Sequence, residues 1–117
     1  MLDKMREFAD NLTFFDSVSF FDDQVLQKNN TASIFLERVQ YEPLTFSRIR
    51  SKATMSIIFR TDGDGTTALN TAEQRLSQIS QVLANLFASF LLQNVQFAYV
   101  SNLKSLFCYV IIEVQEG

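Results

Sequence analysis

Four groups of residues have types and spacings from which chemistry could be built. The first is Asp62-Gly63-Asp64-Gly65, where alternate carboxylates in a glycine-rich stretch resemble the start of a calcium loop, and the twelfth position counted from Asp62 is Glu73. The other positions break the pattern. Thr67 stands where the sharp turn of such a loop requires glycine, Thr66 occupies the fifth position, and the segment leading in alternates like a strand rather than a helix. The stretch reads as a strand-to-helix connection that sets carboxylates near a helix N-terminus, where the dipole favours them. The second group, Asp22-Asp23, offers two carboxylates for acid-base work, but adjacent residues at a strand end point to opposite faces, so it reads as a solvated loop. The third is Cys108, the only cysteine, which has no histidine anywhere to activate it and sits in an apolar row, as an inert core thiol does. The fourth is Arg48, Arg50 and Lys52, a period-two row that Arg38 extends if the preceding strand pairs with it. Such a strip reads either as a solvated sheet face or as a surface that meets carboxylates of another subunit or a phosphate backbone. Three or four charges register a contact but do not give high affinity for DNA.

Composition narrows the classes further. The chain has 117 residues, one domain's worth, with 47% hydrophobic and 20% charged residues, so it can bury a core. It contains no histidine and no tryptophan, which excludes imidazole mechanisms and Cys/His zinc sites, and a lone cysteine excludes a disulfide framework. No metal or cofactor is expected, and the chain reads as a non-enzyme. A net charge of -3 gives no global basic footprint for nucleic acid. The start, with Asp3, Lys4, Arg6 and Glu7, lacks the apolar run of a secretory signal. Asn85 and Ser89 break the longest apolar stretch, 83–92, well short of a membrane span. The reading is a cytoplasmic product with no membrane contact, in which Asn11-Leu12-Thr13 and Asn29-Asn30-Thr31 match the glycosylation pattern by chance.

The elements that must position these groups follow from periodicity. Leu2, Met5, Phe8 or Ala9, and Leu12 recur at helical spacing and predict a short amphipathic helix that needs a partner for its stripe. From Thr13 the pattern becomes strand-like, with Phe14, Val18 and Phe20 on one side and Phe15 and Phe21 on the other. A polar loop follows at 22–30. Residues 33–42 predict a second strand, with Phe35, Val39 and Tyr41 on one face and Ile34 and Leu36 on the other. Pro43 marks a bend, and 44–61 reads as a long strand able to pair with 33–42 as a hairpin. Such a ribbon overhangs a domain whose radius of gyration should be about 13 Å. Residues 61–67 read as a loop, and Thr71 with Gln74 forms a capping box before a helical stripe of Leu76, Ile79, Val82 or Leu83, Leu86 or Phe87, and Phe90. Two antiparallel strands, 95–100 and 105–115, close the chain, the second with the row Cys108, Val110, Ile112, Val114. The predicted fold is a single α+β domain over 1–117, a mainly antiparallel sheet with two helices packed on it, in the order α-β-β-β-α-β-β. Twelve phenylalanines, Phe46 among them, exceed what one face of a small sheet needs, and aromatics on both strand faces point to burial between subunits.

This order of elements, with Thr13-Phe14-Phe15-Asp16 after the first helix, the run 33–40, and 77–87 followed by 107–114, resembles the tail terminator or tail-completion proteins of tailed bacteriophages. The resemblance spans nearly the whole chain, in order and pattern more than in identities. It implies a virion structural protein, assembled in the host cytoplasm, whose hexameric ring ends the tail tube and faces the neck or connector, with the tail tube protein and neck proteins as partners. In that picture the 33–60 ribbon makes inter-subunit strand contacts. Arg38, Arg48, Arg50, Lys52 and Phe46 then lie at a subunit or lumen surface, with passive DNA contact and no sequence-specific readout. Two other readings share the pattern: another head-tail joining component, or a dimeric cytosolic ligand-binding module with a pocket between sheet and helix.

Overall fold

A computed structural model describes residues 1–45 and 48–116. The elements in chain order are α1 (Leu2–Asp10), β1 (Ser17–Phe20), a 3-10 turn (Asp23–Gln27), β2 (Thr31–Thr45), β3 (Arg48–Asp62), α2 (Gly65–Leu86), β4 (Ser89–Val100) and β5 (Ser105–Glu116). This is the predicted α-β-β-β-α-β-β order of an α+β fold. The five strands form one sheet in the order β1-β2-β3-β5-β4, antiparallel at every pairing except β1 with β2, which is parallel.

The core lies on one face of that sheet, under the two helices. Met55, Ile57 and Phe59 of β3 and Cys108, Val110 and Ile112 of β5 alternate inward and are fully buried, with Ala32 and Ile34 of β2 beside them. From the helix side, Met5 and Phe8 of α1 and Ala68, Ala72, Ile79 and Leu83 of α2 close the same cluster. Ala68 and Ala72 let the first turns of α2 approach the sheet closely, and Phe8 meets Phe87 edge-on at 6.5 Å between ring centres. The Cys108 thiol, pushed up to about 12 by burial, is an uncharged core group.

Several boundaries differ from the sequence expectation, each for a local reason. The segment from Thr13 is a turn, closed by the Phe15 amide on the Leu12 carbonyl, so only 17–20 is strand. Phe15 enters the core against Phe59 instead of alternating across a sheet. In β2 an extra residue at Glu37 shifts the register between Leu36 and Arg38, which moves Val39 onto the core side with Ile34 and Leu36 and away from Phe35. Pro43 does not break β2; the strand runs through it and the register shifts just beyond.

The expected 61–67 loop shrinks to Gly63 and Asp64, because β3 continues to Asp62 and α2 begins at Gly65. Asp64 is the cap, its carboxylate accepting from the Thr67 amide at 2.9 Å, and Thr71 is interior, its hydroxyl donating to the Thr67 carbonyl. Gly63, with φ +137°, turns the chain in a conformation that other residues adopt only under strain. Replacing Asp64 by alanine should lower the melting temperature by a few degrees and fray the first turn of α2, measured by thermal circular dichroism and amide exchange. At the other end α2 stops at Leu86, Phe87 turns extended, and β4 starts at Ser89 rather than Val95. Phe90 therefore pairs with Val114 across the sheet and is not part of the helical stripe.

Candidate assembly surface

The sheet is longer than its cover. Strands of 15 residues rise about 50 Å at roughly 3.3 Å per residue, and the molecule measures 56 × 23 × 22 Å with a Cα radius of gyration of 15.1 Å, above the roughly 13 Å of a compact chain this size. β5 accompanies β3 only as far as Ser51, opposite Glu116. Beyond that pair, β2 and β3 continue as a two-stranded ribbon through Glu42–Arg50 and Thr45–Arg48. The overhang read from the sequence is present.

The basic row lies at the root of this ribbon. Alternation places Arg50, Lys52 and Thr54 on the face opposite the helices, and the register sets Arg38 beside Thr54 and Gln40 beside Lys52, so Arg38 shares that face. The strip is partly neutralised. Lys52 pairs with Glu42 at 3.5 Å, and Arg50 donates to the Gln115 side-chain oxygen from Nε at 2.9 Å and Nη1 at 3.2 Å when the amide presents its oxygen. Arg38 is exposed with no ion pair to a described residue. Arg48 pairs with Thr45 through its backbone position, its side chain lying outside the described residues, as does Phe46.

Behind the strip, Ser51 donates to Glu116 at 2.7 Å and the Met1 ammonium lies 3.3 Å from the same carboxylate. The Ser51 hydrogen bond, helped by the ammonium and opposed by burial, holds the Glu116 carboxyl below its ordinary value.

The opposite end of the helix-free face is closed by a polar network that the sequence did not point to. Arg60, almost wholly buried, donates from Nε to Asp62 Oδ1 at 2.8 Å, from Nη2 to Oδ2 at 3.3 Å, and from Nη1 to the Leu26 carbonyl at 3.0 Å, with its guanidinium 5.7 Å from the Phe107 ring centre. Ser105 also donates to Asp62 at 2.7 Å, and the Asp62 amide donates to Asn29 Oδ1. The 3-10 turn is thereby fastened over this end of the sheet, and Asp62, first of the calcium-like carboxylates, is spent on Arg60 and Ser105. Burial raises the Asp62 carboxyl, but the Arg60 and Ser105 hydrogen bonds outweigh it and hold it below its ordinary value. Asp22, by contrast, caps the 3-10 turn through the Gln24 amide.

Both shifts lower a folded-state carboxyl, so their stabilisation is complete above the ordinary values of 3.8 and 4.5 and is lost as pH falls through the lower folded values. The melting temperature should stay level from neutral pH to about 5 and drop below that. Asp62→Asn should start lower at neutral pH and show a shallower acid limb; an unchanged limb would locate the acid sensitivity elsewhere.

The described residues contain no helix long and apolar enough to cross a membrane, and no cluster of three His, Cys, Asp or Glu side chains that could hold a metal. Chemically, the arrangement is a half-exposed sheet face with a charged ribbon. The sequence matches no protein-family model and no curated protein sequence. Among solved structures it is similar to a chain described as "Virion of native gene transfer agent (GTA) particle", with a TM-score of 0.53 and 13% identity over 97% of this chain and 89% of that one. The two share a fold along nearly their whole length.

Proposed function

We propose that this chain is a virion structural protein of tailed-phage type. In this reading it assembles into a ring of about six copies at the end of a tail tube, as a tail terminator facing the neck, and works by contact rather than by catalysis. The observation that carries the reading is the end-to-end fold similarity to a chain from a gene transfer agent virion, in which neither chain has a large part unaccounted for. The overhanging ribbon supports it, since a two-stranded ribbon is marginal by itself in water and gains its stability from what it packs on. The ligand-binding alternative loses support, because Ile57, Ile79, Leu83, Val110 and Ile112 fill the space between sheet and helix where its pocket would lie.

The test is solution mass by light scattering over a concentration series, with negative-stain imaging of large species. Closed rings of about six subunits are expected, alone or on addition of tail tubes. A chain that stays monomeric in both conditions overturns the reading. Reversing Arg48 and Arg50 to glutamate should reduce ring formation at least tenfold in assembly constant, about 1.4 kcal/mol or more, with the circular dichroism spectrum unchanged. Equal assembly would make the strip a solvated face.

A further inference from the structure

Exposed large hydrophobic side chains gather at the two lateral edges of the sheet. On the β1–β2 side stand Leu2, Phe20, Phe21 and Tyr41, all but Phe20 more than 60% exposed. Leu2, Phe20 and Phe21, with Met5, Arg6 and Leu36, line a shallow groove of about 250 Å³ there. On the β4 side stand Leu91, Val95, Phe97 and Tyr99. Val100, Leu103 of the β4–β5 turn and Leu69 of α2 are exposed as well.

The backbone is open at the same two places. β1 covers only Thr31–Ile34 of β2, so from Phe35 onward no described strand pairs on that side, and this free run is interrupted by the register shift at Glu37 and carries Arg38, Glu42 and Pro43, which leaves β4 the less protected of the two edges. β4 is the other terminal strand, 12 residues long. Edge strands are ordinarily protected from pairing by brevity, proline or charge. β4 has a register shift near Asn94 but no proline and no charged residue along its length, and 94–100 is exposed throughout. Its directionality fits the opposite edge: three antiparallel pairings separate β2 from β4, so β4 runs antiparallel to β2, and two copies in the same orientation meet with antiparallel strands. Phe97 and Tyr99 sit opposite Cys108 and Leu106, on the helix side of the sheet, which is the side on which α1 borders the groove. The two free runs are similar in length. Covering these side chains and the backbone between them removes on the order of 1,000 Å² from water, the size at which a specific interface sustains itself.

We propose that copies of this chain join head to tail, the β4 edge of one adding to the free β2 edge of the next, with Phe97 and Tyr99 packed toward the groove beside α1. This rests on the reading above that the chain assembles with itself, and it supplies the joint. The contact is heterologous, so repetition closes a ring or extends a filament according to the rotation per step.

The test uses Phe97→Lys and Tyr41→Lys, both at exposed positions, with circular dichroism and melting temperature as fold controls; Leu91→Lys repeats the β4 test at a second site. Each variant alone should run at monomer mass at concentrations where the natural chain assembles. An equimolar mixture of Phe97→Lys and Tyr41→Lys retains one intact β4 edge and one intact β2 edge, so it should form a species of twice the monomer mass and stop there. If only the β4 variants dissociate, β4 pairs with itself and the head-to-tail joint is wrong. If all variants assemble as the natural chain does, the joint lies elsewhere while self-assembly stands. A natural chain that stays monomeric at every concentration, both alone and with tail tubes, overturns both.

Discussion

Replacing Asn30 by alanine is expected to destabilise the protein by about 3 kcal/mol, far more than a surface loop residue ordinarily contributes. Asn30 sits in the left-handed region, φ 57°, which alanine occupies at a cost of roughly 1 kcal/mol or more. Its side-chain amide donates to the Phe14 carbonyl at 2.9 Å and to Asp16 Oδ1 at 3.2 Å, and its Oδ1 accepts from Arg75 Nε at 3.1 Å. Its backbone adds β3 and holds the turn a second time, the amide donating to the Arg60 carbonyl and the carbonyl accepting from the Asp16 amide. One residue thus ties the turn before β1, β3 and α2 together. Arg75 in turn lies over Phe14 and Phe15, 5.7 and 5.8 Å from the ring centres, so its loss of a partner loosens the aromatic turn as well. Urea unfolding followed by circular dichroism reads the total. Asn30→Gly separates its parts, because glycine restores the backbone conformation without the side-chain bonds, and should recover about 1 kcal/mol of the loss. A glycine variant as unstable as alanine would assign the whole effect to the side chain.

Why Asn30 escapes a reading of the sequence is instructive. Asn29-Asn30 between apolar segments has the composition of a solvated loop, and its bonding depends on where Phe14, Arg60 and Arg75, far apart in the chain, arrive after folding. The signal present was narrower: an asparagine directly before a strand is a residue that tolerates positive φ. Arg60 was hidden for a related reason. Its place in a period-two pattern marks it as outward, and it is outward, but the 3-10 turn folds over that end of the face and buries it.

What periodicity captured is what depends on one element alone. The α1 stripe of Met5, Phe8 and Leu12 and the β5 row from Cys108 to Val114 are buried as spaced. The β2–β3 hairpin follows from two long alternating runs. Where a single extra residue changes parity, as at Glu37, alternation misassigned everything after it, including Val39. The capping box at Thr71 fitted its consensus, yet Asp64 starts the helix earlier, because burying Ala68 against the sheet and bonding the Thr67 amide favour two more turns. The same division holds for the surface. Arg50 and Lys52 share one face as their spacing required, whereas Arg38 joins them only through the extra residue at Glu37, and the Lys52–Glu42 ion pair and the Arg50–Gln115 hydrogen bonds depend on register across β2, β3 and β5. The uncharged character of β4 was legible from its letters, but its meaning appears only once β4 is seen to end the sheet.

Phe59→Ala is expected to cost about 4 kcal/mol, the largest single effect in the molecule. Phe59 is fully buried on the central strand, between Ala32 of β2 and Cys108 of β5 in register, and its ring meets Phe15 at 5.5 Å between centres. Ala32 cannot expand into the space a missing ring leaves, and backbone bonds to both neighbours prevent the strand from shifting, so the cavity persists. Phe59→Leu keeps most of the volume and should cost under about 1.5 kcal/mol. The contrast with the sheet edges is the useful part. At Phe97 and Tyr41, 44% and 62% exposed, lysine should leave monomer stability within about 0.5 kcal/mol while removing assembly. Phe59→Ala should lower the unfolding midpoint strongly yet leave assembly intact in whatever fraction stays folded, because the ring lies on no surface. If Phe59→Ala at low temperature is fully folded by circular dichroism and still fails to assemble, core packing controls the edges, and independence of fold and joint is wrong. If assembly tracks the folded fraction, the helix-covered core and the open edges are separate devices in one sheet, the first holding the subunit and the second joining it to the next.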